Sequence, residues 1–415
     1  MASLSFYGGN LLNTTTPSRV VSYAEASGIV LEHAGRLVAR HAPKSAELLD
    51  TLGRVLAEPI LADRDQPPFP RSTRDGFACR AADVSAGFPI EVIGAIRAGD
   101  AAVIEVSRGQ AVEIMTGAPV PAGADCVVMV EHVLRDRDTL RLASGRSIQP
   151  GENIVPMGAE ARSGAVIVPR GTRVSPAQIA VAAACGAGKL SVFGRPRVAI
   201  VATGDELVEV NQQPQTHQIR NSNSYSLAAQ VMAAGAEPVR LPIARDERVH
   251  LESMIRTALE TDLVLLSGGV SMGKYDLVEE VLLSLGAEFF FTGALIQPGK
   301  PVVFGSIGEH YFFGLPGNPV STMVTFLLFV EPLLGALCGE VGRGPRFAQA
   351  RMLGEVRVKT GLTRFLPARL MDGNVEAVTW QGSGDLASTS RSNCFLVVPP
   401  DQPVLAVGET VSILL

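Results

Sequence analysis

The sequence predicts a multidomain protein, α/β plus β, built around a doubly wound and mostly parallel α/β domain. Three observations carry that prediction. From Arg197 onward, short apolar strands alternate with helical patterns, as in a parallel sheet covered on both faces. Two glycine-rich turns, Ser267-Gly268-Gly269-Val270-Ser271-Met272-Gly273 and Leu315-Pro316-Gly317-Asn318-Pro319, each lead from an apolar strand into a helix. Runs of short β-like segments punctuated by Gly and Pro lie on either side of this region. At 415 residues the chain is too long for one ordinary core, and 47% hydrophobic against 19% charged residues marks it as globular.

Taken in order, residues 1–18 are polar, without the basic start and apolar run of a signal peptide, and read as a flexible lead-in. Residues 20–40 have a helical pattern. Residues 46–57 repeat it, with Leu48, Leu49, Leu52, Val55 and Leu56 on one side. Pro67-Pro68-Phe69-Pro70 then breaks the pattern and opens a module at 67–149 with β-like runs at 90–96, 110–115, 125–133 and 139–142. Beyond it, Ser175-Pro176 reads as a cap and first position of another helix. The expectation is a discontinuous helical linker domain, 19–66 and 150–195, with the β module inserted. The α/β domain follows at 196–345, and short strands at 350–359, 375–379, 394–398 and 410–414 predict a small β-barrel-like domain at 346–415.

Composition excludes several function classes. A net charge of −5 and a pI near 5.8 give no overall attraction for nucleic acid or an anionic membrane. The five cysteines are scattered and never in C-x-x-C spacing, and the six histidines are equally dispersed, which argues against a disulfide framework or a zinc site and leaves no legible nucleophile triad. The apolar stretch at 320–337 contains Glu331-Pro332 and follows a glycine turn directly, so a buried core helix fits better than a bilayer span. The expected location is cytoplasmic.

At the carboxyl edge of an open α/β sheet, strand-to-helix turns bring backbone N–H groups and helix N-termini to an anionic ligand. Ser267, Gly268, Gly269, Ser271, Gly273, Pro316, Gly317 and Asn318 are therefore candidate binding residues. Asp205 and Glu206 close the first strand of the α/β unit, and Asp246 and Asp276 follow later strands. Carboxylates converging on one crevice repel one another unless a cation is shared, and Mg²⁺ is the ordinary hard-cation answer. N-capping is the alternative for Asp246 and Asp276. Lys300, between prolines, is a candidate point charge for an oxyanion or an ordinary surface lysine. Asp75 and Thr116 read as turn formers.

In the same order along the chain, Ser72-x-x-Asp75-Gly76-Phe77-Ala78, Met115-Thr116-Gly117-Ala118, Thr203-Gly204-Asp205-Glu206-Leu207, Ser222-Asn223, Ser267 to Gly273, Pro298-Gly299-Lys300-Pro301 and Leu315 to Pro319 resemble the motifs of the molybdopterin molybdenumtransferases, MoeA and the E domain of gephyrin. The resemblance implies an elongated homodimer that joins molybdate to the dithiolene of adenylylated molybdopterin, with Mg²⁺ and release of AMP. By the same resemblance Asp205, Glu206 and Asp276 organise metal and phosphates, Asn223 and Lys300 bind substrate, and Asp75 and Thr116 take part in catalysis. Further cofactor-maturation proteins are expected partners.

The sequence also departs from the family pattern. Gln297, Val155-Pro156 and Pro367 stand where basic residues are common, Glu160 where an Asp is, and Arg74 where Met or Val precedes Asp75. Arg364 and Arg369 are the candidate substitutes for the arginine missing at Pro367. These differences bear on the oxyanion pocket, and they keep a non-catalytic molybdopterin-binding or scaffold paralogue open beside the transferase. A molybdopterin adenylyltransferase is the other alternative, since its domain resembles the α/β unit.

Overall fold

The computed structural model describes residues 19–37, 39, 41–269 and 277–415. It divides into two compact units. One takes the chain up to Lys44, Gly53–Ala57 and Val192–Leu415; the other takes Ser45–Leu52 and Glu58–Ser191.

In the first unit, β1 (Arg197–Ala202), β2 (Glu237–Arg240), β3 (Leu263–Ser267), β4 (Ala287–Phe291), β5 (Val303–Ile307) and β6 (His310–Leu315) form one sheet in the order β2-β1-β3-β6-β5-β4. The first four in that order are parallel, and β5 runs antiparallel to both neighbours. Alternation along the strands explains why both faces are covered. Val198 and Ile200 of β1 and Leu263 and Leu265 of β3 enter one core, whereas Ala199, Val201, Val264 and Leu266 enter the other.

Helices α1 (Asn223–Ala233) and α4 (Pro319–Leu337) cover the first face, joined by the N-terminal helix Tyr23–Arg36 through Ala26, Val30 and Ala34. On the second face lie α2 (Arg248–Ala258), through Leu251, Ile255 and Ala258, and α3 (Leu277–Ser284), through Val278, Val281 and Leu282. The expected doubly wound arrangement is thus present.

Helix α4 is long and apolar enough to cross a membrane, yet 83% of its apolar window is buried inside the protein. Its middle turn, Phe326–Val330, widens to a π turn just ahead of Pro332, whose ring and missing N–H disrupt regular i→i−4 bonding. Glu331, 7% exposed, is paired with Arg343, which also bonds Glu340 at 2.8 Å. Gly335 leaves the room for Arg343, since a Cβ there would meet its Cδ at 2.5 Å.

The C-terminal region is a closed five-stranded barrel. β7 (Phe347–Met352), β8 (Thr363–Met371), β9 (Asn374–Ala377), β10 (Cys394–Val398) and β11 (Thr410–Leu414) run β8-β9-β7-β11-β10 and back to β8. Met352, Ala368, Val375, Leu396 and Ile413 fill it. The sequence reading missed β8, its longest strand, because Pro367 lies in the middle and normally demotes a strand. Here Pro367 lies opposite Phe395, and its carbonyl accepts from Val378 N–H at 2.8 Å.

The second unit holds a six-stranded sheet in the order Cys126–Met129, Gly76–Cys79, Gln110–Ile114, Ile90–Ile96, Thr139–Leu142, Val133–Asp136. Gly76 is required there, because any Cβ would collide with the Val128 carbonyl. Helix Pro176–Ala184 opens as expected: Ser175 caps it in a reciprocal capping box with Gln178. The helix expected at 46–57 does not form. A strand, Lys44–Glu47, leads into a 3₁₀ turn, Leu48–Thr51; Leu48 N–H donates to Gly188, Leu49 is 77% exposed, and Gly53 takes φ +74°, which ends any helical run. All five cysteines are free and buried.

Candidate functional site

A cavity of about 730 Å³ opens at the carboxyl edge of β1, β3 and β6 in the first unit. Thr203 and Glu206 after β1, Ser267, Gly268 and Gly269 at the end of β3, and Pro316 to Pro319 after β6 line it, with Asn223 at the start of α1. This is the crevice in which open α/β sheets hold ligands.

Local chemistry fixes each turn. Thr203 N–H donates to the Ser267 carbonyl at 3.0 Å and continues the β1–β3 ladder into the loops. Gly268 has φ +90° and Gly269 φ +62°; a Cβ on the first would meet the Thr203 carbonyl oxygen at 2.5 Å, and on the second the Thr203 hydroxyl at 2.5 Å. Glycine is therefore a steric requirement at both positions. Gly317 differs: the nearest atom to an added Cβ is Gly268 Cα at 3.7 Å, and its φ is not in the left-handed region. Asn223 ties the two turns together, its Nδ2 donating to the Gly317 carbonyl at 2.7 Å and to Ser267 Oγ at 3.1 Å.

Glu206 is presented by a short parallel ladder, Leu207–Val208 with Ile219–Arg220, and its backbone carbonyl accepts from Ile219 N–H at 2.8 Å. Its carboxylate lies over Gly204, where a Cβ would collide with it. Asp205 and Asp246 sit together at the same edge, Asp246 N–H lying 3.4 Å from Asp205 Oδ1. The Asp246 carboxyl is pushed up by burial, then by the negative charge of Asp205, with Glu206 adding to it. Asp246 does not cap α2; Glu247 holds that position and makes no side-chain cap bond. Among the described residues no group of three or more His, Cys, Asp or Glu side chains forms a ready metal site. Ser271, Gly273 and Asp276 lie outside the described residues.

The remaining expected residues lie elsewhere. Lys300 is exposed and absent from the cavity lining, which includes its neighbour Pro301. Arg364 stands in register with Gln297 on the barrel edge, but its guanidinium donates to the Lys359 carbonyl at 2.8 and 3.1 Å. Arg369 is exposed and faces Glu376 in register. In the second unit Asp75 and Thr116 meet: Thr116 N–H and hydroxyl both donate to Asp75 Oδ1, at 2.7 and 2.8 Å, and hold that carboxyl below the usual range. Glu160 pairs with Arg71 at 2.6 Å.

Sequence reasoning missed Arg220, Asn221, Gly384 and Leu386 as cavity residues. The polar run Arg220-Asn221-Ser222-Asn223 just ahead of a helix was the available signal for the first two. Asn221 fixes that turn, accepting from Ser224 N–H at 3.1 Å and donating to Ser224 Oγ at 2.9 Å. Gly384 and Leu386 come from the C-terminal region, where Ser383 bonds Asn318 Nδ2 at 2.8 Å and Val320 N–H at 3.0 Å; no local pattern announces that.

Comparison with known proteins covers almost the whole chain. Residues 21–186 match the MoeA N-terminal region (domain I and II), 199–336 a probable molybdopterin binding domain, and 349–415 the MoeA C-terminal region (domain IV). A molybdopterin molybdenumtransferase of Nostoc sp. is 34% identical over 408 residues, 95% of this chain and 93% of that one. The Bacillus subtilis protein of the same name is 34% identical over 380 residues, covering 89% of this chain and 88% of its own. A crystal structure of a molybdopterin biosynthesis MoeA protein from Pyrococcus horikoshii superposes with a TM-score of 0.76 at 30% identity, covering 96% of this chain and 100% of that one. With its three regions matched in order and its glycine turns framing one pocket, the chain belongs to the MoeA family of molybdopterin molybdenumtransferases.

Proposed function

We propose that this transferase of molybdenum cofactor biosynthesis inserts molybdate into adenylylated molybdopterin and releases AMP. The observation that carries the reading is the pocket itself: two glycine turns let a ligand approach the backbone closely, the Glu206 carboxylate lines it, and Asp205 and Asp246 sit together at the same sheet edge. Burial first, and then the neighbouring Asp205 and Glu206, raise the Asp246 carboxyl, and an all-oxygen donor set of that kind suits Mg²⁺. Asp205 and Glu206 would hold the ion, together with Asp276 outside the described residues. When bound, it polarises the phosphoanhydride and offsets charge on the departing AMP.

The chain's own residues do the rest. Ser267, Gly268, Gly269 and Gly317 orient the ligand, and Asn223 holds their two turns in register. Arg220 brings positive charge to the lining, with Lys300, Arg364 and Arg369 proposed for the molybdate oxyanion. Asp75 and Thr116 are proposed as catalytic residues of the same reaction. A homodimer and a cytoplasmic location complete the proposal, on the ground of family resemblance. The test is activation of a molybdenum-free apo-enzyme by purified protein given adenylylated molybdopterin, Mg²⁺ and molybdate. Activation that requires all three supports the reading; none at saturating substrate overturns it.

A further inference from the structure

A hollow of about 590 Å³ in the second unit has Arg80, Asp83, Phe88, Arg108 and Gly109 in its walls. It lies at the far end of the sheet from Asp75 and Thr116. Where Gly76–Cys79 pairs with Gln110–Ile114, those two residues flank the Gly76–Ile114 end, and Arg80 and Gly109 flank the Cys79–Ala111 end. One atom assembles the walls. Asp83 Oδ2 accepts from Gly109 N–H at 2.9 Å and lies 3.9 Å from Arg80 Nε, so the Arg80 guanidinium and the backbone that carries Arg108 meet at the same oxygen. The turn bearing Arg108 is fixed in its own right: Ser107 N–H donates to Gln110 Oε1 and Gln110 N–H to the Ser107 carbonyl, both at 3.1 Å. The Gly109 carbonyl accepts from Glu91 N–H at 2.9 Å, which ties the turn to the segment just after Phe88.

Arg108 is exposed, and no hydrogen bond or ion pair among the described residues engages its guanidinium. Arg80, its side chain 43% exposed, lies beyond hydrogen-bond distance of Asp83. Two guanidiniums against one carboxylate leave a positive surplus in these walls, although the chain as a whole carries −5. Phe88 is 70% exposed and presents an aromatic ring to solvent beside that surplus. We propose that the hollow binds a mononucleotide: the two guanidiniums take the phosphate, which their planar forks match, and the base stacks on Phe88. The volume suits a ligand of that size. Inorganic phosphate would leave the phenyl ring in water, and an uncharged aromatic ring would leave the guanidiniums unpaired. A ligand with both parts satisfies all three side chains. The reaction proposed above does not depend on this site.

The test is calorimetric titration of AMP, GMP and UMP into the full-length protein, with ribose 5-phosphate as the ringless control, in wild type, Arg108→Ala, Phe88→Ala and Phe88→Tyr. At least one nucleotide should bind wild type about fivefold or more tightly than ribose 5-phosphate does. Arg108→Ala should weaken that nucleotide and ribose 5-phosphate alike, by about tenfold. Phe88→Ala should bring the two to within about twofold of each other, and Phe88→Tyr should restore the difference. Both side chains are exposed, so the ligand-free variants should keep the wild-type thermal midpoint. Binding at the α/β pocket is the event that survives both alanine variants. Survival of every binding event in both variants overturns this inference and leaves the proposed function standing. Failure of all three nucleotides to bind wild type at millimolar concentration also overturns it.

Discussion

Gly268→Ala isolates the steric logic of the first glycine turn. The new Cβ would sit 2.5 Å from the Thr203 carbonyl oxygen, which cannot swing aside because Thr203 is tied to Ser267 through its N–H at 3.0 Å. The residue would also be held at φ +90°, costing roughly 1–2 kcal/mol for an L side chain. Overpacking against backbone adds about 1–3 kcal/mol. The sum, about 2–5 kcal/mol, predicts a clear fall in the urea midpoint at an unchanged slope. Gly317→Ala is the paired control. Its Cβ would meet nothing closer than 3.7 Å and its backbone is unstrained, so stability should hold to within about 0.5 kcal/mol. That methyl would nevertheless narrow the cavity, so pterin or nucleotide affinity should drop while the fold stays intact. A Gly268→Ala protein as stable as wild type would refute the argument that this turn needs glycine for its own geometry.

Three further outcomes are expected. Glu206→Gln should lower AMP release roughly a hundredfold or more while leaving the thermal midpoint unchanged; equal loss of midpoint would return Glu206 to a structural role. Arg343→Met should cost up to about 3–5 kcal/mol in urea unfolding, since it removes the nearer of the two arginines paired with buried Glu331, leaving only Arg346 at 3.9 Å, and with it the 2.8 Å bond to Glu340. A cost under about 1 kcal/mol would show that the network contributes little. His33 stacks on Phe290 at 4.0 Å, bonds the Tyr311 hydroxyl at 3.1 Å, and has its pKa lowered by burial first and then by Arg36. The unfolded chain therefore takes up the proton first as pH falls. Stability from this site is complete above 6.5 and declines as pH falls from there through the lowered folded value. His33→Gln should flatten that part of the stability profile; an unchanged slope would remove His33 from the account.

The α/β domain was the most legible part of the chain, because β1 and β3 are apolar on both faces and their turns carry glycines that geometry demands. The Leu48 to Leu56 stretch misled for a definite reason: its leucines keep helical spacing, but Leu49 and Leu52 face solvent and Gly53 reverses φ. β8 was hidden by Pro367, which the barrel tolerates inside a nine-residue strand. In the site, Glu206, Ser267, Gly268, Gly269 and Gly317 were readable from their place at strand ends. Gly384 and Leu386 were not, since only tertiary packing brings the C-terminal region to the second turn.

Single-turnover AMP release with and without molybdate tests the central claim most directly. Purified protein loaded with adenylylated molybdopterin and Mg²⁺ should release AMP when molybdate is added, in step with molybdenum incorporated into the pterin product, and should release little without it. AMP release at the same rate without molybdate, or molybdenum insertion uncoupled from AMP, would contradict the account.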